Sequence, residues 1–362
     1  MTRSIQAEAI RRVVVRGANW VGDAAMTVPA LRELRRVLPG ARITVATRPW
    51  AETLFAGAEF VDEVVAVSDA KNSLRTVWED AREWRARRFD LAVLFPNSFA
   101  PAFVASLARV PVRTGYATQG RGALLTHALQ VPAWRGHRHE VFYYLNIVAE
   151  LERSLRGSSE IEAREPDSSL AVSKDARREA LKLLHESFAA ESRPLVALCP
   201  GSTNSRAKRW PAERFAALAD MLAERAFAQV FLIGAGEELD ISEEVARLAR
   251  TRPSILTGKT NLAQTAALLS ACDLLVTNDT GPAHVAAAVG CPVVVIFGPT
   301  NPETTRPFSA SADVVRKPPV CAPCMLRDCP IDHRCMTAIT VEDVFGRAAL
   351  ALEARRAAEA VL

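Results

Sequence analysis

Short apolar runs alternate with longer helix-like stretches from one end of this chain to the other, and no other feature limits its fold as tightly. Val13–Arg16, Ile43–Thr47, Glu63–Val67 and Leu91–Phe95 read as strands, with helical periodicity between them, as in Val28–Val37 and Leu74–Arg88. A polar stretch over Gly157–Ser169 breaks the rhythm and reads as an interdomain linker. Strands are then expected at Leu195–Cys199, Val230–Ile233, Leu274–Thr277 and Val293–Phe297. Such alternation builds βαβ units and parallel sheets, so the expected class is α/β. A chain of 362 residues exceeds one ordinary core, which points to two doubly wound, Rossmann-like domains, residues 1–165 and 170–345, facing across a cleft. Val341–Leu362 reads as a long Ala- and Arg-rich helix that could pack back on the N-terminal domain. Internal sequence repeats are not evident.

Composition narrows the function classes. Hydrophobic residues make up 49% and charged residues 24%, as in a soluble globular enzyme. A net charge of +4 spread over many acids and bases argues against a nucleic-acid protein. No run reaches the roughly 18 apolar residues of a membrane span, and MTRSIQAEAIRR lacks the apolar core of a signal peptide. The expected location is therefore cytoplasmic, with seven largely reduced cysteines.

Residues 274–308 carry the clearest chemical signal. Asn278-Asp279-Thr280-Gly281 lies between the apolar run Leu274–Thr277 and the Ala-rich run Pro282–Val289. Pro282 suits a first helical turn, where its missing N–H would be unpaired anyway, and Gly281 removes bulk at the bend. The expectation is a helix N-terminus at the carboxyl end of a parallel strand, with Thr280 and His284 beside its N–H groups. That is an anion site, most economically for a diphosphate.

Other segments read in more than one way. Asp23, in Gly22-Asp23-Ala24, is either a first-turn acid favourable to the helix dipole or a general base at the mouth of a cleft. Cys199–Pro211 is hydroxyl-rich and cationic; Thr203 and Lys208 would bind phosphate there, although basic loops are usually just solvated. Gly234-Ala235-Gly236 imitates a dinucleotide fingerprint but holds Leu239 where the third glycine belongs, so a Rossmann dehydrogenase is unsupported. Glu237 could accept bonds from a ribose or simply neighbour a helix cap. No P-loop sequence occurs. Cys321, Cys324, Cys329 and Cys335, with His333 interleaved, suit structural zinc in part, though packing alone could order that loop. Cys199, Cys272 and Cys291 read as core residues.

Taken together the motifs resemble glycosyltransferase family 9, the ADP-heptose:lipopolysaccharide heptosyltransferases. The matching residues are Asn19-Trp20-Val21-Gly22-Asp23, Phe95-Pro96-Asn97-Ser98-Phe99, Arg113-Thr114-Gly115-Tyr116, Cys199-Pro200-Gly201 with Ala207-Lys208-Arg209-Trp210-Pro211, and Asn278-Asp279-Thr280-Gly281 with His284–Ala288. The resemblance implies GT-B architecture, with the acceptor held by the first domain and ADP-heptose by the second. It implies an inverting transfer of L-glycero-D-manno-heptose to a heptose already on the lipopolysaccharide inner core, without a divalent metal. By the same resemblance Asp23 matches the catalytic base, Lys208 counters charge on the leaving diphosphate, and Thr203, Lys208, Asp279, Thr280, Gly281 and His284 hold the nucleotide sugar. Asn204 stands where some relatives have a second hydroxyl, and the cysteine cluster occurs in only part of the family.

Three rivals remain at this point: a family 9 transferase with another heptose acceptor, a GT-B sugar-nucleotide epimerase, and a noncatalytic nucleotide-sugar binding module. A lipid-bearing acceptor implies transient contact with the inner face of the inner membrane. Arg82, Arg85, Arg87 and Arg88 could assist that contact or form a solvated helix face.

Overall fold

The computed structural model describes residues 7–55, 57–67, 73–188 and 193–359. The start of the N-terminal stretch, residues 1–6, and the end of the expected terminal helix, residues 360–362, lie outside them. The chain forms two compact units, Met1–Leu170 and Ala171–Leu362.

The first unit holds six parallel strands: β1 (Arg12–Arg16), β2 (Arg42–Thr47), β3 (Glu63–Ala66), β4 (Leu91–Leu94), β5 (Val112–Tyr116) and β6 (His127–Leu129), in the order β3-β2-β1-β4-β5-β6. The second holds β7 (Leu195–Cys199), β8 (Gln229–Leu232), β9 (Ser254–Ile255), β10 (Leu274–Asn278), β11 (Val293–Ile296) and β12 (Ala312–Val315), in the order β12-β11-β10-β7-β8-β9. Numbered from the first strand of each unit, these are the same doubly wound order. The repeat is one of topology, invisible as sequence. Helices cover the sheets, so β4, β10 and β11 are buried along their whole length and read as continuous apolar runs.

In both sheets the strand order reverses at one place, between β1 and β4 and between β7 and β10. Ligands of open α/β sheets bind beyond the carboxyl ends of strands at such switch points. Asp23 follows β1, Asn97 follows β4, Lys208 follows β7 and Asp279 follows β10, so these four motifs reach the carboxyl-end loops, whereas Arg113-Thr114-Gly115-Tyr116 lies within β5.

The amino-end rim is built differently. Asp90, just before β4, accepts hydrogen bonds from the N–H groups of Arg11 and Arg12 at 2.9 and 2.8 Å. Asp62, before β3, accepts from Ile43 N–H at 2.6 Å, and Asp273, before β10, accepts from Leu195 N–H at 2.7 Å. Each carboxylate satisfies a neighbouring strand's first donors, which would otherwise be orphaned at the sheet margin.

Two expectations change here. Residues 157–169 are tied into the first unit rather than strung free of it. Ser159 Oγ and Glu160 N–H bond Glu152, Arg153 pairs with Glu162, and Arg32 reaches Ser169. The terminal helix, Val341–Glu359, uses its apolar face within its own unit: Val344, Phe345, Ala348 and Leu352 join Phe215, Leu274, Ile296 and Met336 in one core. An Ala- and Arg-rich composition announces the helix but does not say which surface covers it.

That core also fixes the loop after β11. A Cβ on Gly298 would lie 2.3 Å from Met336 Sδ and 3.2 Å from Cys335 Sγ, and Met336 is fully buried. Gly298→Ala should therefore lower stability by about 1–3 kcal/mol, as overpacking does. Urea unfolding of the two proteins checks it, and an unchanged midpoint would contradict the packing described.

Candidate active site

In the C-terminal unit β10 delivers Asn278, Asp279 and Thr280 to the start of the helix Gly281–Ala288, with Pro282 in its first turn. Asn278 is fully buried and joins three segments. Its Oδ1 accepts Trp210 N–H at 3.0 Å, and its Nδ2 donates to the carbonyls of Pro200 and Gly201 at 2.8 and 3.2 Å. Trp210, also buried, donates its indole N–H to the Ile339 carbonyl at 3.0 Å. The residue two positions before this anchor, Lys208, is thereby held to a short reach.

Lys208 Nζ donates to Asp279 Oδ2 at 2.7 Å and to the Asp279 carbonyl at 3.1 Å. An ammonium has three protons, so one remains for a ligand. The other acceptor duty of Asp279 Oδ2 is to Thr300 Oγ1, at 2.6 Å. Asp279 thus positions both Lys208 and Thr300 through a single carboxylate oxygen, Oδ2. The Lys208–Asp279 pair is net neutral, so attraction for an anion comes from the aimed N–H of Lys208 and the helix start rather than from an uncompensated cation. Thr280, half-buried at the cap position, bonds Thr277 Oγ1 at 3.2 Å instead of capping the helix, and His284 is buried in the next turn.

Beside these groups lies a notch lined by Glu238, the neighbour of the expected ribose-binding candidate Glu237. Glu237 is exposed, whereas Glu238 is buried, accepting Thr203 Oγ1 at 3.1 Å and Ala235 N–H at 2.9 Å. A Cβ on Gly201 would fall 2.3 Å from the Glu238 carboxyl carbon, and one on Gly234 would fall 2.9 Å from Oε2. The two glycines make room for that carboxylate. Asn204, like Thr203, is exposed on the loop.

The cysteine segment is a strap over the Lys208 loop. Ala207, the residue before Lys208, has both backbone groups engaged: its N–H donates to the Arg327 carbonyl at 2.9 Å, and its carbonyl contacts His333 Nε2 at 2.6 Å. Ser205 Oγ also donates to the Arg327 carbonyl at 3.1 Å, and Arg206 pairs with Asp328 at 2.7 Å. Burial pushes the Cys335 thiol up, and the neighbouring Cys329, Cys324 and Cys321 add to the shift. Among the described residues no group of three or more His, Cys, Asp or Glu side chains is disposed to hold a metal ion. Cys199, Cys272 and Cys291 are buried as core residues, and burial pushes the Cys199 thiol up to about 12.

In the N-terminal unit Asp23 sits half-buried in the first turn of the helix Val21–Met26. The buried Arg16 donates to Asn19 Oδ1 at 2.9 Å and steadies the loop before it. Burial drives the Tyr144 hydroxyl well above its ordinary range, and the charge of Asp23 adds to that. After β4, Asn97 Oδ1 accepts Tyr143 Oη at 3.2 Å, while its carbonyl accepts Thr118 Oγ1 at 2.8 Å. Arg121, wholly buried, crosses from β5 to this loop, donating to the carbonyls of Tyr116 at 2.8 Å, Ser98 at 3.0 Å and Pro96. A Cβ on Gly115 would lie 3.0 Å from the Leu94 carbonyl oxygen and 3.2 Å from that guanidinium, so the glycine in Arg113-Thr114-Gly115-Tyr116 leaves room for both.

Each unit therefore gathers its motif residues on one rim, Asp23 and Asn97 in the first and Lys208, Asp279, Thr280 and His284 in the second. Thr300, Glu238 and Arg121 are the additions.

A family model described as glycosyltransferase family 9 (heptosyltransferase) matches residues 77–334. The lipopolysaccharide heptosyltransferase 2 of Salmonella typhimurium is 32% identical over 317 residues, covering 84% of this chain and 88% of that one. Its Escherichia coli K12 counterpart is 31% identical over 316 residues, with the same coverage. The solved structure of E. coli ADP-heptose lps heptosyltransferase II matches with a TM-score of 0.77 at 28% identity, covering 96% of this chain and 100% of that one. A glycosyl transferase family 9 structure from Veillonella parvula, 24% identical, shares the fold with a TM-score of 0.83, covering 97% of this chain and 99% of that one. The two parallel six-stranded units are thus those of a GT-B protein, as the motif resemblance implied. The chain belongs to glycosyltransferase family 9, the heptosyltransferases.

Proposed function

We propose that this chain transfers L-glycero-D-manno-heptose from ADP-heptose to the first heptose of the lipopolysaccharide inner core, with inversion at the anomeric carbon. The observation that carries this reading is the Lys208–Asp279–Thr300 cluster at the start of the helix Gly281–Ala288, in a chain of this family. In the proposed step the acceptor oxygen attacks the anomeric carbon while Asp23 takes its proton. The bond from that carbon to the β-phosphate oxygen breaks, and ADP leaves with the electron pair. Charge grows on the β-phosphate, and donors already aimed at it stabilise the transition state more than the ground state. Thr203, Glu238, Thr280 and His284 line the nucleotide-sugar side, and no divalent metal takes part. The reading requires Asp23 and the diphosphate site to act on one ligand.

Mass spectrometry of reactions run in EDTA, with ADP-heptose and truncated lipopolysaccharide, tests the reaction. One heptose should be added to the acceptor that carries a single heptose. Isomerised donor without acceptor would identify an epimerase, and tight ADP binding without turnover on any core acceptor would identify a binding module.

We also propose that the enzyme works in the cytoplasm at the inner membrane face. The helix Leu74–Arg87 exposes Leu74 (76%) and Trp78 (64%) together with Arg82 and Arg85, the mixture that seats a helix at an anionic interface, while Arg75 is paired with Glu79 at 2.8 Å. Arg87 is committed elsewhere, to Glu63 and Glu83 at 2.5 and 3.0 Å. No helix among the described residues is long and apolar enough to cross a membrane. Trp78→Ala should weaken flotation with phosphatidylglycerol vesicles several-fold and leave turnover on a delipidated acceptor unchanged. Equal flotation of both proteins would refute the contact.

A further inference from the structure

The strap over the Lys208 loop holds the chain behind both partners of Asp279 Oδ2. Near its start Met325 N–H donates to the Pro299 carbonyl at 2.9 Å, on the residue before Thr300. Further along, the Arg327 carbonyl accepts the Ala207 N–H, and His333 Nε2 lies 2.6 Å from the Ala207 carbonyl oxygen. A carbonyl can only accept, so Nε2 carries the ring proton and donates it. The two peptide planes that lead into Lys208 are thereby fixed, one on each side of Ala207, and Trp210 N–H on Asn278 Oδ1 fixes the chain just beyond. His333 itself has a firm base. Its backbone is left-handed (φ 56°, ψ 28°), and its carbonyl accepts the N–H groups of Met336 and Thr337 at 2.9 and 3.0 Å, which opens the short helix Arg334–Thr337. Cys335 and Met336 in that helix are buried close to Gly298. This anchor does not depend on the imidazole.

We propose that His333 is a positioning residue for the transfer, acting through the Ala207 carbonyl to hold Lys208 where the leaving diphosphate needs it; this rests on the transferase reading above. A lysine stem of four carbons is flexible, so its ammonium points one way only if both ends of the stem are held. Asp279 holds the far end and His333 the near one. Without the imidazole bond the Lys208–Asp279 pair would persist, but the Lys208 backbone could rock and the remaining N–H would lose its aim. A donor that must be re-aimed during the reaction gives up much of its advantage over water. The same segment grips Pro299, so Lys208 and Thr300 meet Asp279 from loops tied to one piece of chain. With Nε2 spent on Ala207, the ring acts through the backbone and not on the ligand.

The test compares the full chain as wild type, His333→Asn, His333→Gln, Lys208→Ala, and the double variant carrying His333→Asn with Lys208→Ala. Asn enters left-handed backbone readily but ends where Nδ1 stands, short of Ala207, whereas the Gln amide extends to the place of Nε2. His333→Asn should lower kcat about 10-fold, less than outright loss of the Lys208 donor, with KM for the acceptor unchanged. Affinity for ADP, measured by calorimetry, should fall several-fold. His333→Gln should restore most of both. On the Lys208→Ala background His333→Asn should change neither quantity, because no ammonium is left to aim. ADP affinity is read without an acceptor, so absent transfer by the wild type would fail the transferase reading while the ADP pattern still judged His333. Wild-type kcat and ADP affinity in His333→Asn overturn the positioning role, as do equal losses in His333→Gln or a full second loss on the Lys208→Ala background.

Discussion

Asp23→Asn should cut heptose transfer by about 10²- to 10⁴-fold, the range expected when a positioned general base is removed. The substitution preserves shape and keeps a hydrogen-bonding group in the first turn of Val21–Met26, so the fold should survive. What disappears is the ability to accept the acceptor's proton as the new bond forms. Affinity for ADP, measured by calorimetry, should match that of the wild type, because the proposed nucleotide-binding groups belong to the other unit. If Asp23 were only a first-turn acid complementing the helix dipole, the change would cost a few tenths of a kcal/mol in stability and nothing in rate. Turnover at the wild-type level would therefore remove Asp23 from the mechanism.

The second large effect belongs to the Lys208 cluster. Lys208→Ala should lower kcat by about 10²- to 10³-fold, comparable to deleting one preorganised donor from an oxyanion site. Asp279→Asn should do much of the same damage from one bond further away, since Lys208 Nζ would lose its charged partner at 2.7 Å and Thr300 its acceptor at 2.6 Å. Because Asp279 acts through Lys208, the double variant should be little worse than Lys208→Ala alone. Additive losses in that double-mutant cycle would separate the two residues and undo the positioning role. Steady-state kinetics at saturating acceptor reads the result.

How far all this can be read from residues alone varies from element to element. β1, β4, β7, β10 and β11 announce themselves because strands buried on both faces must be apolar without interruption. Pro282 marks the helix start by its own chemistry. β5 stays hidden because Arg113, Thr114 and Gly115 look like a loop. In the structure Arg113 turns its guanidinium back to the carbonyls of Leu124 and Val110, and the space beside Gly115 is taken by Arg121. β6, β9 and β12 are margin strands of two to four residues with half-exposed faces, too short for any period to show. In the site, Asp23, Lys208 and His284 are visible as unusual residues on strand-end loops. Glu238 is not, since adjacent acids on one turn differ only in which of them faces Gly201, and the turn's geometry decides that. Thr300 is invisible for another reason: its partner lies twenty-one residues back, and nothing local marks the pairing.

The carboxylates that pin the strand starts have an evolutionary consequence. Asp90, Asp62 and Asp273 settle the backbone of the amino-end rim, and none of the site's chemistry lies there. Selection can therefore adjust robustness on one rim and acceptor or donor choice on the other with little crosstalk between the two. A lineage drifting toward a new saccharide could rewrite the loops after β1 and β4 one at a time, while the scaffold beneath them kept its own history of change.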